Sequence, residues 1–328
     1  MNSGIKSMKI KEFRNHFNKE LSAIFPQTEI DSFFFLLIEK ELKLQRIDLA
    51  LNTQISISDE KFKHLYNSLS RLKTQEPIQY ILGETEFYGL PFKVTKNTLI
   101  PRPETEELVE WIVKEVTKVQ RHKGAKVQNS NVEKFSILDI GTGTGCIPIS
   151  LAKNLPNVSI TAIDISSEAI KIATQNAELN NVEINFIEQD ILKINSLNVI
   201  ANEMKQSVIA ASQTPRNDIK FDVIVSNPPY VRELEKAEIL PNVLENEPHL
   251  ALFVTDNNPL IFYSKIADLA KNHLKENGVL YFEINQYLGK EIIELLSKKG
   301  FNTELKKDIF GNDRMMKATI SHSPKIIL

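Results

Sequence analysis

SILDIGTGTGCIPISLAKNL, residues 136–155, runs an apolar strand straight into a glycine-rich turn and then into a helical pattern. The strand ends at Ile140. Gly141, Gly143 and Gly145 then alternate with Thr142 and Thr144 before the helix begins at Cys146. Glycines at such a point let the backbone turn tightly and let a ligand lie against the main chain. The dinucleotide fingerprint G-x-G-x-x-G is not met, because its third glycine position, residue 146, is cysteine. The turn therefore marks a nucleotide-like site of another kind on an α/β sheet.

The same alternation continues outward from this stretch. SITAIDI (159–165), EINFIEQD (183–190), FDVIVS (221–226) and GVLYFEI (278–284) have the composition of strands. SSEAIKIATQNAELN, NPLIFYSKIADLAKNHL (258–274) and GKEIIELLSKKG (289–300) have helical spacing. Alternation of this kind predicts an α/β fold, a Rossmann-like, mostly parallel sheet with helices on both faces. The end, FNTELKKDIFGNDRMMKATIS, predicts two strands about a turn at Gly311, Asn312 and Asp313, a closing hairpin with one antiparallel strand at the sheet edge. Toward the N-terminus, Thr105 to Val116 is helical, with Leu108, Trp111, Ile112 and Val116 on one face, and Pro101 and Pro103 stiffen the chain ahead of it. Residues 79–98, punctuated by Gly83, Gly89 and Pro91, predict a linking β-hairpin. Before it, Ile10, Phe13, Phe17 and Leu21, then Glu29 to Leu44, then a helix capped by Ser58 through Phe62, Leu65, Leu69 and Leu72 predict a small helical bundle. The domains are thus 1–78, 79–98 and 99–328. Residues 120–134 lack a pattern and suggest a surface loop; residues 193–219 suggest a long insertion with a short helix around 198–211, or a mobile lid.

Composition narrows the function classes. The 328 residues are 42% hydrophobic and 25% charged, with a net charge of −2. That balance argues against a protein whose main partner is a long nucleic acid. One cysteine excludes an intrachain disulfide and a cysteine-built zinc cage, and the six histidines show no metal spacing. No signal peptide and no membrane-spanning run is legible, so a soluble cytoplasmic protein is expected.

The chemistry gathers where the strands end. Asp139 puts an acid where a pyrophosphate would approach, which suits instead a ligand with a cationic end, such as the amino group of S-adenosylmethionine. Asp164 ends the next strand, where an acid accepts hydrogen bonds from ribose hydroxyls; its plainer role is to cap the helix that starts near Ser166. Gln189 and Asp190, with Ile191 beside them, follow the third strand, where an amide or acid can meet an adenine amino group. After the fourth strand comes SNPPYV (226–231). Neither Pro228 nor Pro229 has an N–H, so the ladder stops there. Asn227 offers an oxygen acceptor, Pro228 a carbonyl, and Tyr230 a ring face and a hydroxyl. Two acceptors and a flat ring suit a planar NH2 group. Cys146 has no activating neighbour in sequence and serves as a packing residue.

These residues resemble class I S-adenosylmethionine-dependent methyltransferases that act on planar nitrogen. The likeness is closer still to the HemK/PrmC family, the glutamine-N5 methyltransferases of peptide chain release factors. It is carried by PIQYILGETEFYG (77–89), LIPRPETEELVEW (99–111), LDIGTGTG (138–145), SNPPYV, NEPHLAL (246–252) and, more loosely, FEINQYLG (282–289). In the last of these, Asn285 and Tyr287 stand where the family often has small residues. The resemblance implies S-adenosylmethionine as cofactor, held by Asp139, residues 141–145, Asp164, Asp190, Ile191 and Asn227. It implies a glutamine of the Gly-Gly-Gln motif of class 1 release factors as acceptor, held by Asn227, Pro228, Pro229 and Tyr230 with Arg102 and Glu104 nearby. It also implies methylation that modulates translation termination, a helical N-terminal domain that recognises the partner, and a monomer with no direct nucleic-acid substrate. PRPETE read alone is a good helix start. Adenine N6 in DNA or RNA, a glutamine of a ribosomal protein, and a non-catalytic binding module remain the alternatives.

Overall fold

A computed structural model of the chain describes residues 8–52, 54–124, 134–200 and 219–321. It divides into two compact units, Met1–Glu84 with Leu240–Asn246, and Thr85–Ile239 with Glu247–Leu328. Residues 240–246, which the sequence places in the long C-terminal domain, group with the first unit. The boundary at Glu84 lies inside the stretch expected to be the linking hairpin.

The first unit is built on three helices, α1 (Ile10–Leu21), α2 (Gln27–Leu42) and α3 (Asp59–Lys73). Ile10, Phe13, Phe17 and Leu21 fall on the buried stripe of α1, as their three- and four-residue spacing requires. Phe17 and Phe34 meet edge to face at 5.7 Å. Ser58 caps α3 by accepting from the Lys61 N–H. The dense run Phe33–Phe35 splits: Phe34 is buried in the core, whereas Phe33 and Phe35 pack beside it. A short helix, Arg46–Leu51, went unrecognised because it buries no side chain and so leaves no apolar stripe to find.

The second unit holds a seven-stranded sheet. Its strands are β1 (Phe135–Ile140), β2 (Val158–Asp164), β3 (Asn185–Glu188), β4 (Phe221–Ser226), β5 (Leu274–Glu283), β6 (Phe301–Lys307) and β7 (Asp313–Ile320). Their spatial order is β6-β7-β5-β4-β1-β2-β3. From β5 to β3 all pairs are parallel, and β7 alone runs antiparallel to both of its neighbours. The antiparallel strand is therefore one in from the edge, and β6 forms the edge. The hairpin inserts its second strand against β5, because Met315 and Met316 bury there while β6 stays half-exposed.

Helices cover both faces. They are α4 (Pro103–Gly124), α5 (Cys146–Asn154), α6 (Ser167–Leu179), α7 (Ile261–His273) and α8 (Gly289–Lys298). The period of two along each strand sorts side chains between two cores. Leu138, Ile140, Ile224, Leu280 and Phe282 join α7 and α8. Ile137, Val223, Val225 and Tyr281 join α4, α5 and the hairpin Glu84–Phe87/Leu90–Lys93. Burial on both faces explains the nearly continuous apolar strands. Helix α4 extends to Gly124, into the stretch expected as a loop; residues 125–133 lie outside the described residues. The long segment after β3 is anchored at both ends: Leu197 N–H donates to His273 Nε2 at 3.1 Å, and His273 Nδ1 meets Ile219 O at 2.8 Å. Residues 198–200 are helical, and the rest of the helix or lid expected there lies outside the described residues. Among the described residues no helix is long and apolar enough to cross a membrane.

Candidate active site

A cavity of about 240 Å3 opens at the carboxyl edge of the sheet, the edge where open α/β sheets bind ligands. Its wall takes residues 141–144 after β1, Asp164 at the end of β2, Gln189, Asp190 and Ile191 after β3, and Asn227, Pro228 and Pro229 after β4. Arg102, just before α4, and Thr105, in its first turn, also line it. Strands far apart in sequence meet here because β4 pairs in parallel with β1, with Ile140 opposite Ser226. Ser226 Oγ also donates to Ile140 O at 2.7 Å, which ties the two strand ends.

The glycine loop has a conformational reason for its composition. Gly141, Gly143 and Gly145 have φ of 77°, 54° and 79°, the left-handed region. Gly145 has a second reason: a Cβ there would lie 3.0 Å from Ile149 Cδ1 and 3.2 Å from Ala173 Cβ. Asn176, fully buried on α6, clamps the loop from behind. Its Nδ2 donates to Thr144 O at 2.9 Å and to Lys93 O at 3.0 Å, and its Oδ1 accepts from Lys93 N at 2.7 Å.

Asp164 accepts from Gly143 N–H at 2.8 Å and from Ser166 N–H at 2.9 Å. Ser166, not Asp164, caps α6. Burial raises the Asp164 carboxyl above its ordinary value, against the pull of these N–H groups. Each oxygen keeps a lone pair for a ligand hydroxyl. Asp190 accepts from Leu192 N–H at 3.0 Å and pairs with Lys193 at 3.1 Å, so part of its acceptor capacity is spent locally.

Asp139 lies behind the wall rather than in it. It is fully buried, and no hydrogen bond of good geometry reaches either oxygen. Burial pushes its carboxyl up to about 7; the Thr142 hydroxyl opposes this, and Asp164 adds to it. An unpartnered buried carboxylate is costly and calls for a partner. Together with the open glycine loop and the Asp164 acceptors, it fits a ligand that brings a sugar and a cationic group, as S-adenosylmethionine does. Cys146 does not fit a reactive role, since burial pushes its thiol up to about 12.

On the acceptor side, Asn227 and both prolines face the cavity, and Tyr230 does not. The Tyr230 ring packs against the α7 side of the core. Its hydroxyl donates to Glu283 Oε1 at 3.1 Å, and its backbone carbonyl accepts from Asn285 Nδ2 at 2.9 Å. Burial, then the Glu283 charge, hold the phenol well above its ordinary pKa. Arg102 reaches the wall, but its guanidinium donates to Glu247 Oε1 at 2.6 Å; Glu247 Oε2 accepts from Ile100 N–H at 3.3 Å. Glu104 is half-buried and outside the wall.

Sequence reasoning did not assign Thr105, Asn176, Glu247 or Glu283. Glu283 had a signal, an acid closing an otherwise apolar strand in FEINQYLG. Thr105 looked like a helix first-turn residue, and Asn176 like an ordinary polar position. Asn285 is a buried brace: besides Tyr230 it donates to Glu235 Oε2 at 2.9 Å.

Comparison with known proteins agrees with this geometry. A family model described as "Methyltransferase domain" matches residues 131–319, and one described as "PrmC N-terminal domain" matches residues 12–83. A "Release factor glutamine methyltransferase" of Flavobacterium psychrophilum is 54% identical over 94% of this chain and 99% of that protein. Its namesake in Bacteroides thetaiotaomicron is 40% identical over 92% of this chain and 97% of that protein, and the one in Streptococcus pneumoniae 36% identical over 94% and 98%. With identity at this level along nearly the whole of both chains, and with the glycine loop, Asp164 and Asn227-Pro228-Pro229 gathered on one cavity, the chain belongs to the release factor glutamine methyltransferase family.

Proposed function

We propose that this protein methylates the side-chain amide nitrogen of a glutamine in a peptide chain release factor. The observation that carries the reading is the placement of Asn227 and Pro228 on the same cavity wall as residues 141–144 and Asp164. S-adenosylmethionine supplies an electrophilic sulfonium methyl. Residues 141–144, Asp164 and Ile191 would hold it, with the Asp139 carboxyl behind the loop, where a cationic end nearby would favour its ionised form.

An amide nitrogen is a poor nucleophile, because its lone pair is delocalised into the carbonyl. Asn227 Oδ1 and the Pro228 carbonyl accept the two N–H hydrogens of the substrate amide. This orients the nitrogen and favours its pyramidal form, a contribution of positioning and electrostatics, and one of its two protons leaves to solvent once the methyl has been taken. Pro228 and Pro229 add no N–H that could compete for those acceptors. The half-buried Tyr230 supports the clamp through Glu283 rather than by stacking on the amide. Arg102 keeps the 99–102 segment in place through Glu247. The first unit contributes recognition of the partner's body. The protein works in the cytoplasm as a monomer, with no nucleic-acid substrate.

The test is transfer of a labelled methyl to a purified release factor, with a control in which its acceptor glutamine is changed. Asn227→Ala should lower turnover by about 100-fold or more while calorimetry finds cofactor affinity kept. Lost cofactor affinity with turnover retained would refute the clamp.

A further inference from the structure

An asparagine carboxamide has nearly the same shape at both ends and opposite polarity, so an active-site asparagine needs a partner that decides which end faces the substrate. Asn227 has such a partner. Its Nδ2 lies 3.4 Å from Thr105 Oγ1. Thr105 is 2% exposed, in the first turn of α4. A hydroxyl owns one proton, and that of Thr105 is committed: Oγ1 donates to Glu283 Oε2 at 2.6 Å. Glu283, 1% exposed, ends β5 on the face that α4 covers, the same face as Tyr281 two residues earlier. Burial raises the Glu283 carboxyl above its ordinary value, against the pull of the Thr105 hydroxyl, Arg314 and the Tyr230 hydroxyl. In its ionised form the carboxylate only accepts, and its other oxygen is taken by the Tyr230 hydroxyl. Thr105 can therefore show Asn227 nothing but lone pairs, and only the NH2 end can meet them. The opposite amide orientation would set two oxygens against each other, with neither holding a proton to share.

We propose that Thr105 and Glu283 are positioning residues that lock the polarity of Asn227, turning its Oδ1 toward the acceptor amide. The proposal rests on the reading that Asn227 Oδ1 accepts an N–H of the substrate. The lock depends on Glu283 being charged. Around it stand Arg314 from β7, Glu104 and Thr105 from α4, Tyr230 from the loop after β4, Cys146 from α5, and Tyr263 from α7, which donates to the Glu283 backbone carbonyl. A proton on Glu283 would let it donate to Thr105. That frees the hydroxyl proton for Asn227 Oδ1 and reverses the chain.

The experiment measures kcat, KM and donor affinity for Thr105→Val, Thr105→Ser and Glu283→Gln with purified release factor. Thr105→Val should lower kcat about 10-fold or more with donor affinity within about twofold, and Thr105→Ser should recover to within about threefold of the wild type. Glu283→Gln should lower kcat and remove the acid limb of the wild-type pH profile. Wild-type kcat in Thr105→Val, or a serine variant as slow as the valine one, would overturn the lock. If Thr105→Val does not fold, Glu283→Gln decides, and an unchanged rate and pH profile would overturn it. If the wild type labels adenine rather than glutamine, the reading of the acceptor falls, yet the same variants still test the lock, because adenine N6 is also a planar NH2.

Discussion

Asp139 and Glu283 are both buried carboxyls on the α4–α5 side of the sheet, and they differ in partners. Glu283 has two hydroxyl donors in hydrogen-bond geometry, whereas Asp139 has only the nearby Thr142 hydroxyl, which makes no well-formed hydrogen bond to it. Asp139 should therefore leave a mark on stability. Its carboxyl is raised from 3.8 to about 7, so between those values the folded chain holds a proton that the unfolded chain has released. Stability falls as pH rises through that window, and the cost is complete above it. At about 1.4 kcal/mol per unit, the full swing is of order 4 kcal/mol. Denaturant unfolding of the cofactor-free protein should show wild type gaining on Asp139→Asn as pH drops from about 8 to about 4. A difference that stays flat, or that moves the other way, would mean Asp139 ionises as it does in solution. At this scale the sequence was only partly legible. Asp139, Asp164 and Asn227 stand out because strand ends at one sheet edge have a shared destination. Thr105 and Glu283 did not, because their roles lie in a contact across 178 residues of chain. Tyr230 was misplaced for a related reason: a motif gives the residue, but its ring direction depends on Glu283 and on the α7 core.

The glycine loop shows how an element can be legible while its tolerances are not. Three glycines in alternation announce a tight turn, yet the sequence does not say which of them also touches something. The structure separates them. At Gly143 a Cβ would meet nothing within 4 Å, so only the backbone conformation resists substitution. Gly143→Ala should cost about 1–2 kcal/mol, the ordinary price of a left-handed alanine. At Gly145 the same strain is joined by contacts with Ile149 and Ala173 across the α5–α6 junction. Gly145→Ala should cost about 2–5 kcal/mol, since overpacking adds to the strain. Thermal or denaturant unfolding of both variants checks the order. Equal losses would place the constraint in conformation alone. Boundaries elsewhere were legible where apolar spacing was dense, as in α1 and β4. They drifted where a helix ran on past its stripe, as at the end of α4.

Across the whole molecule, the alternation of strands and helices after residue 135 is enough to specify a parallel sheet with its ligand edge. Two features escaped it. The antiparallel strand sits inside the sheet, because the closing hairpin buries Met315 and Met316 against β5, a choice made by packing rather than by pattern. Residues 240–246 group with the first unit, a long-range association that no local composition announces. The central claim, that this edge presents two acceptors to a glutamine amide, is tested most directly by competition. Wild-type protein and labelled S-adenosylmethionine are given a purified release factor together with duplex DNA and ribosomal protein, and the methylated atom is located by fragmentation mass spectrometry. Label is expected on the side-chain nitrogen of one release-factor glutamine, and it should be lost in Asn227→Ala. Label on adenine, or on a ribosomal-protein glutamine with the release factor untouched, would contradict it.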